Sequence, residues 1–398
     1  MTIPRFIQIH SLVSYPAVLL NRDDSGLAKR ISYGGAVRTR VSSQCLKRRW
    51  RTAEDDWSLA NTGAELSVRS REVFEYEIAP KLKAAHPQAS PEAIEAVGDA
   101  ISKALYGDKA KLPRNRQALL LGWPEIRFLT EEALSILRAS DDVEVIAKTA
   151  ETHFKGKDAK ANFTSMKTFA GSLAAGLEAA LFGRMVTSDP KANTDAAIHV
   201  AHAFTVHAQE SETDYFTVVD DLKQRDPEAD SGSAGIFDTE LTSGLFYEYV
   251  VIDVPLLVSN LTGAEPTAWS LPGTDRALAA KVAEHLLHLI ATVSPGAKKG
   301  STAPYAFAST LLVEAGTRQP RSLASAFENP VNAGSHGLSA KAESALFERL
   351  EALDRAYGAK EARHFLSLSS GPREALTGPE SLDVLAGWLR DSIAAGEA

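Results

Sequence analysis

Residue patterns with the two-residue period of a strand predict β-strands at the start of the chain and again after residue 178. Residues 6–13 form the first such segment, which we expect to be a central strand because both of its faces carry apolar side chains. Further strands are predicted at residues 179–186, 198–207, 246–252, 305–313 and 364–368. Ser42 and Ser43 can cap a helix that is predicted to run through Leu46 and Trp50.

Helical spacing of apolar residues dominates between residues 58 and 177, which are rich in Ala, Leu, Glu and Lys. We predict that this segment is a helical insertion. Additional helices are predicted at residues 276–293, 323–327, 340–357 and 379–394. Strands that alternate with helices indicate an α+β fold, and the pattern resembles an RRM-like (ferredoxin-like) sheet with elaborations.

A polar arm is predicted at residues 209–244, and its stretch 230–235 has the small residues typical of a flexible loop. Tyr215, Phe216 and Val219 are apolar residues within this arm. An aromatic pair in an otherwise polar arm has no core to fill, whereas stacking a base on an aromatic ring contributes about 1–3 kcal/mol. The alternative, that Tyr215 and Phe216 pin the arm to its own sheet, stays open.

The composition is that of a folded soluble protein, with 398 residues, 44% hydrophobic and 24% charged. The single cysteine, Cys45, excludes an intramolecular disulfide and a multi-cysteine zinc site and favours a reducing compartment. Residues 6–20 make a poor signal peptide, and no apolar run is long enough to span a membrane. We therefore expect a cytoplasmic protein without a membrane partner.

Charge is distributed unevenly along the chain. The net charge is −8, which argues against a protein that coats nucleic acid with its whole surface. Residues 21–51, however, contain nine basic and two acidic side chains, a local balance of +7 that leaves −15 for the remainder. Such polarity suits one phosphate-binding face on a molecule that elsewhere repels nonspecific nucleic acid.

Residues 38–50 supply the two kinds of group that bind phosphate, cations and short hydrogen-bond donors. Gln44, Lys47 and Arg48 lie three and four positions apart, so they share one side of the predicted helix. The alternative interpretation is a solvated basic start of a helix.

Several segments resemble the CasC family, the CRISPR RNA-binding backbone subunit of the type I-E Cascade complex. The clearest are LNRDD at 20–24, YGG at 33–35, RTRVSSQCLKR at 38–48 and GRM at 183–185. Further segments match in the same order: AIHVAHA at 197–203, DYFTVVDDL at 214–222, SGLFY at 243–247, SPGAK at 294–298 and LASAFE at 323–328. The resemblance is thus collinear over nearly the whole chain, apart from the helical insertion and residues 330–360.

The resemblance implies a hand-shaped protein with an RRM-like palm, a helical fingers insertion and a thumb hairpin. The palm would comprise residues 1–57, 178–208 and 245–398, the fingers residues 58–177 and the thumb residues 209–244. It also implies which residues contact RNA, and these are Asn21, Arg22, Lys29, Arg38, Ser42, Gln44, Lys47, Arg48, Arg184, Met185 and, in a loop, Lys298. Tyr215, Phe216 and Val219 would form the tip of the thumb, which wedges between bases.

Signals for catalysis are weak. His199 and His207 share a strand face but are too far apart for one zinc ion, and His202 points the other way, so no metal site or cofactor is predicted. Asp23 and Asp24 are the exception, because carboxylates in an early loop could hold Mg²⁺ in a metal-dependent ribonuclease. An Asx turn, or an ion pair with Arg22 or Arg30, is the alternative.

The expected function is that of a non-enzymatic subunit with no catalytic residues. Several copies would polymerise along the CRISPR RNA and present it to a target DNA strand, with sequence specificity delegated to the guide. The expected partners are other copies of the chain and the large, small, five-prime-handle-binding and three-prime-hairpin-binding Cascade subunits. Two alternatives remain, the ribonuclease using Asp23 or Asp24 and a stand-alone RRM-like RNA-binding module.

Overall fold

The computed structural model describes residues 3–154, 161–217, 236–296, 302–334, 336–373 and 376–394. Two predicted site residues, Val219 and Lys298, lie outside these ranges, as does the predicted loop at 230–235.

Strands and helices alternate along the described chain. The strands are β1 (Phe6–Val18), β2 (Arg30–Tyr33), β3 (Ala36–Val41), β4 (Ser67–Ser70), β5 (Leu119–Gly122), β6 (Ile198–Val200), β7 (Ala203–Thr205), β8 (Glu210–Thr217), β9 (Ile236–Asp253), β10 (Thr310–Gly316) and β11 (Ala362–Ser367). The helices are α1 (Ser43–Arg51), α2 (Ala79–Ala85), α3 (Pro91–Tyr106), α4 (Trp123–Ala139), α5 (Val143–Phe154), α6 (Phe163–Ala170), α7 (Leu177–Phe182), α8 (Val254–Thr262), α9 (Ala277–Thr292), α10 (Leu338–Tyr357) and α11 (Leu382–Ala394).

The main sheet has the strand order β11-β10-β1-β9-β7-β3-β2, and β6 and β8 also pair with β9. β1 is central, as predicted, because it pairs antiparallel with both β10 and β9, with Phe6 opposite Gly316 on one side and Asp253 on the other. The other described pairs in this sheet are antiparallel too. Helices around an antiparallel sheet confirm the predicted α+β class.

Three larger hydrophobic clusters form the core. The residues of β1 contribute to two of these clusters, one on each face of the sheet. Ile7 and Ile9 pack with α9 and α11 on one face. Leu12 packs on the other face, with Phe327 and α10. The third cluster lies between Val73 and Ala192 and joins α2–α6 to the small β4–β5 sheet. The predicted division of the chain into palm, fingers and thumb segments stays a prediction.

One predicted strand was wrong, and another is interrupted. Residues 179–186 do not form a strand, because they begin within the short helix α7, which ends at Gly183 with a φ of 81°. All five residues from Leu177 to Leu181 are buried. The sequence of α7 therefore lacks the alternation of apolar and polar residues that distinguishes a helix from a strand.

The predicted strand at 198–207 is divided into β6 and β7. Val200 pairs with Val250 and Phe204 pairs with Tyr247, so four steps on this side face three steps on β9. The extra residue acts as a bulge that interrupts the alternation and leaves His202 exposed. Two smaller differences are β10, which begins at Thr310 rather than at 305, and α8, which was not predicted.

No helix in the described ranges combines the length and the apolar character that crossing a membrane requires.

Candidate nucleic-acid interface

A short loop at residues 21–29 lies beside the amino end of α1. The backbone N–H of Ser42 donates to Asn21 Oδ1 at 3.0 Å, and the N–H of Lys29 donates to the Asn21 carbonyl at 2.8 Å. Ser42 also caps α1, since its Oγ accepts from the N–H of Cys45 at 3.3 Å. These bonds bring together three residues that the sequence predicts at the interface, Asn21, Lys29 and Ser42.

α1 presents a basic outer face. Leu46 and Trp50 anchor its inner face in the core, which leaves Gln44 and Arg48 exposed. Lys47 is half-buried, with its Nζ 5.7 Å from the centre of the Phe182 ring, and burial lowers its pKa. The helix therefore displays the face that its sequence spacing predicts.

The basic face continues into a cleft of about 500 Å³ that includes Phe182, Met185, Gln117 and Arg69. The Met185 side chain is 64% exposed, and its backbone carbonyl accepts a hydrogen bond from Gln117 Nε2 at 2.8 Å. We call the surface formed by the exposed side of α1 and this cleft the basic groove. Its mixture of cations, an amide and apolar side chains suits a single-stranded nucleic acid.

Arginines concentrate at the junction of α1 and β4. Burial lowers the pKa of Arg51; Glu178 opposes that shift, and the charges of Arg69 and Arg48 add to it. Arg69, Gln117 and Phe182 also line this cleft, and no local sequence pattern points to them. Arg69 and Gln117 come from the helical insertion and Phe182 from α7, so only the folded chain brings them together.

His202 is a further residue that the sequence analysis did not assign to the interface. Its Nδ1 lies 3.2 Å from the backbone nitrogen of Ser43 and 3.2 Å from Arg40 Nη1. Burial lowers the pKa of His202, and the charges of Arg40 and Lys29 lower it further. A neutral imidazole that accepts at Nδ1 therefore braces the first turn of α1.

Arg38 and Arg184 are held inside the protein. Arg38 is fully buried and donates to the carbonyls of Thr205 at 3.0 Å and Phe327 at 2.9 Å. Arg184 Nη1 lies 2.7 Å from both carboxylate oxygens of Glu125. Both guanidinium groups are thus engaged by the fold, and only Arg184 lines the cleft of the basic groove. Direct contact of either with RNA stays a prediction.

The described part of the arm is a hairpin of β8 and the first half of β9. All eight residues of β8 are exposed, and the Tyr215 side chain is 73% exposed. Phe216 pairs with Phe237 across the hairpin, and their rings stack with centroids 5.7 Å apart. The two predicted aromatic residues therefore lie outside the buried clusters of the main sheet.

Asp23 adopts the turn that was the alternative to a metal site. Its Oδ1 accepts from the backbone N–H groups of Ser25 at 2.9 Å and Leu27 at 3.0 Å, while Arg30 pairs with Glu240. Arg22 and Asp24 are exposed on the same loop. Across the part of the chain that the structure describes, no three His, Cys, Asp or Glu side chains are grouped as a metal site would need.

Comparison with known proteins identifies relatives of the whole chain. A family model described as CT1975-like protein matches residues 7–388. One solved chain, described as "CRISPR RNA-guided surveillance complex, pre-nicking", is 27% identical with a TM-score of 0.77, over 98% of this chain and 100% of that chain. Another, described as "CRISPR RNA-guided surveillance complex", has a similar fold, with 23% identity and a TM-score of 0.69 over 97% and 99% of the two chains. A search of curated proteins found no match.

Proposed function

Since this chain belongs to the family of CT1975-like proteins, we propose that it is a subunit of a CRISPR RNA-guided surveillance complex and that it binds the backbone of the guide RNA. The observation that carries the proposal is the end-to-end similarity to a chain of such a complex, with a TM-score of 0.77. The basic groove supports the same function, because it gathers cations on one face of a chain whose net charge is −8.

We further propose that the complex is a Cascade of type I-E and that this chain is its CasC-like backbone subunit. Several copies would assemble along one guide, each with an RRM-like palm, and would hold the guide for pairing with target DNA. Phosphates would contact Lys29, Lys47 and Arg48 directly. Arg184 would hold the wall of the groove in shape from within, and Arg38 would fix β3 against Thr205 and Phe327. Met185 would contact the sugar or base from the wall of the groove.

The exposed arm supplies the test of assembly. Tyr215→Ala should weaken assembly on guide RNA by about 1–3 kcal/mol, because one base loses its stacking surface. Thr213→Ala is the matched control, since Thr213 is exposed on the same strand two residues away. Native mass spectrometry of the complex should count several copies per guide, and chemical probing should show unstacked nucleotides at regular spacing that fade in Tyr215→Ala only.

The opposite result is equally clear. If Tyr215→Ala lowers the melting temperature of the isolated chain and leaves periodic reactivity intact, the ring anchors the arm and the stacking role is wrong. One copy per RNA would favour the stand-alone RNA-binding module.

We propose that the chain does not cleave RNA. With Mg²⁺ or Mn²⁺ present, guide and complementary RNA should stay intact on a denaturing gel. Asp23→Asn is the sharp variant, because it removes the charge while keeping the oxygen that accepts from Ser25 and Leu27. Specific cleavage that disappears in Asp23→Asn or Asp24→Asn would instead establish the ribonuclease.

A further inference from the structure

Glu240 connects the root of the arm to the loop at residues 21–29 and to the start of β2. Its Oε2 accepts from the backbone N–H of Ala28 at 2.6 Å, and its Oε1 accepts from Arg30 Nη2 at 2.5 Å. The same Oε1 lies 3.3 Å from Gln209 Nε2, just before β8. Glu240 belongs to β9, where it pairs with Thr213 of β8. One carboxylate thus contacts the loop, the start of β2 and the root of the hairpin.

The loop itself is a compact unit. Arg22 and Ala28 form an antiparallel bridge, and the N–H of Asp23 donates to the Leu27 carbonyl at 2.8 Å. At its other end the loop is bonded to α1 through Asn21 and Ser42. A continuous series of hydrogen bonds therefore leads from the capped end of α1, through the loop, to Glu240 and the arm.

The environment makes the bonds to Glu240 strong. Its side chain is only 7% exposed, while Arg30 is 44% exposed. A carboxylate shielded from water forms short, charge-assisted hydrogen bonds, and a displacement of this side chain would weaken its contacts with the loop and with the arm together. The orientation of the arm and the conformation of the loop are thus parts of one arrangement.

We propose that Glu240 is a positioning residue that couples the arm to the basic loop. The coupling rests on the proposed function, in which RNA contacts both Lys29 in the loop and Tyr215 in the arm. Phosphate bound at the loop then stabilises the arm in its stacking orientation. By linkage, a base stacked on the arm raises the affinity of the loop for phosphate by the same factor.

The first experiment needs no RNA. Amide hydrogen exchange of the full chain should show the Ala28 N–H exchanging about tenfold faster or more in Glu240→Ala, since a charge-assisted bond is lost. Glu240→Gln keeps an acceptor for Ala28 and should retain part of the protection. Arg30→Ala should have the reciprocal effect, which is faster amide hydrogen exchange at the root of the arm. Glu212→Ala, an exposed acid on β8, is the matched control.

Unchanged exchange at Ala28 in Glu240→Ala would overturn the proposal. The proposal would also be overturned if Glu212→Ala accelerated exchange at Ala28 as much as Glu240→Ala does. That result would show that any loss of negative charge from the arm has this effect.

The second experiment measures coupling through RNA affinity. Lys29→Ala and Tyr215→Ala are made singly and together, in the wild-type chain and in Glu240→Ala. In the wild-type background the combined loss should be smaller than the product of the single losses, since either change already releases the other contact. In Glu240→Ala the losses should multiply.

Losses that multiply in the wild-type background would overturn the coupling. Failure of the wild-type chain to bind guide RNA would overturn the proposed function instead, and the exchange experiment would still decide whether Glu240 joins the loop to the arm.

Discussion

Two regions of the molecule are rich in arginine, and they lie toward opposite ends of the strand order. In the basic groove, Arg48 and Arg69 are exposed beside α1 and β4. Near β10 and β11, Arg321 and Arg363 both bind one fully buried carboxylate, that of Glu314, at 2.6 Å and 2.7 Å. We call this second group, with His10 and Asp354, the Glu314 cluster.

The pKa of Glu314 records the difference. Burial opposes ionisation, but hydrogen bonds from Arg321 and His10 hold the pKa of this carboxyl far below its usual range. Arg363 thus joins its own strand β11 to β10, through Glu314, and to α10, through Asp354. Arg321 is paired with the same Glu314 carboxylate from the segment that follows β10. The arginines of the groove display their charge on the surface, where a polyanion can reach it. Pairing, rather than the number of arginines, separates a structural region from a binding region.

The largest expected effect comes from breaking the Glu314 cluster. Glu314→Gln leaves Arg321 and Arg363 with less compensation, and we expect a loss of about 3–5 kcal/mol in the free energy of unfolding. Urea unfolding measures it, with Glu348→Gln on the exposed side of α10 as control. Guide-RNA affinity per folded molecule should not change. A loss below about 1 kcal/mol would mean that the cluster is not a stabilising unit.

Glu248 is a buried carboxyl that, unlike Glu314, has no arginine among the described residues to lower its pKa. Burial alone raises the pKa of Glu248 to about 8. Glu248 lies on β9 opposite Ser11 of β1, and it is two residues from Phe246, which packs in the core. The folded chain keeps this proton up to about pH 8, whereas the unfolded chain loses it near the ordinary value of 4.5. The stabilising contribution is therefore complete below pH 4.5 and is lost as the pH rises toward 8.

Glu248→Gln should remove that dependence. Between pH 5 and 8 the wild-type free energy of unfolding should fall relative to the variant by up to about 1.4 kcal/mol per pH unit. Urea midpoints at four pH values measure the slope, and parallel curves for the two proteins would show that Glu248 is already ionised in the folded chain.

The smallest effect on stability, but a specific one on binding, is expected in the groove. Lys47→Ala and Arg48→Ala should each lower guide-RNA affinity and reduce the logarithmic salt slope by about 0.7, the value for one phosphate contact on a single strand. Arg355→Ala on α10 carries the same charge change at an exposed site and should leave the slope unchanged. A salt titration with an unaltered slope in the double variant would exclude phosphate contact by α1.

Elements with a clear period were predictable, and those without one were not. β1 alternates between two cores, and α1 follows a capping serine, so both were identified correctly. α7 is buried from Leu177 to Leu181, so its sequence has no helical period and predicts a strand instead. The bulge between β6 and β7 was also missed, because one extra residue is defined only by the partner strand.

The same division applies to the candidate site. Lys47 and Arg48 follow from helical spacing within nine residues of α1. Arg38 and Arg40 share a face of β3 in the sequence pattern, yet Arg38 is buried against Phe327 while Arg40 approaches His202. Nothing in the alternation distinguishes them, since the difference comes from which segment covers each side chain.

Local sequence patterns were enough to predict an α+β fold, a concentration of positive charge near residues 21–51 and an aromatic pair in a polar arm. These features depend on the residue pattern and the composition of single segments, so each can be predicted from one segment of the sequence. Three features came from tertiary contacts: which arginines face solvent, which distant residues complete the groove, and the connection of the arm to the loop through Glu240. Those outcomes depend on contacts between distant segments, such as Ala28 with Glu240, 212 residues apart, and Arg38 with Phe327, 289 residues apart. Burial and pairing are properties of the assembled fold.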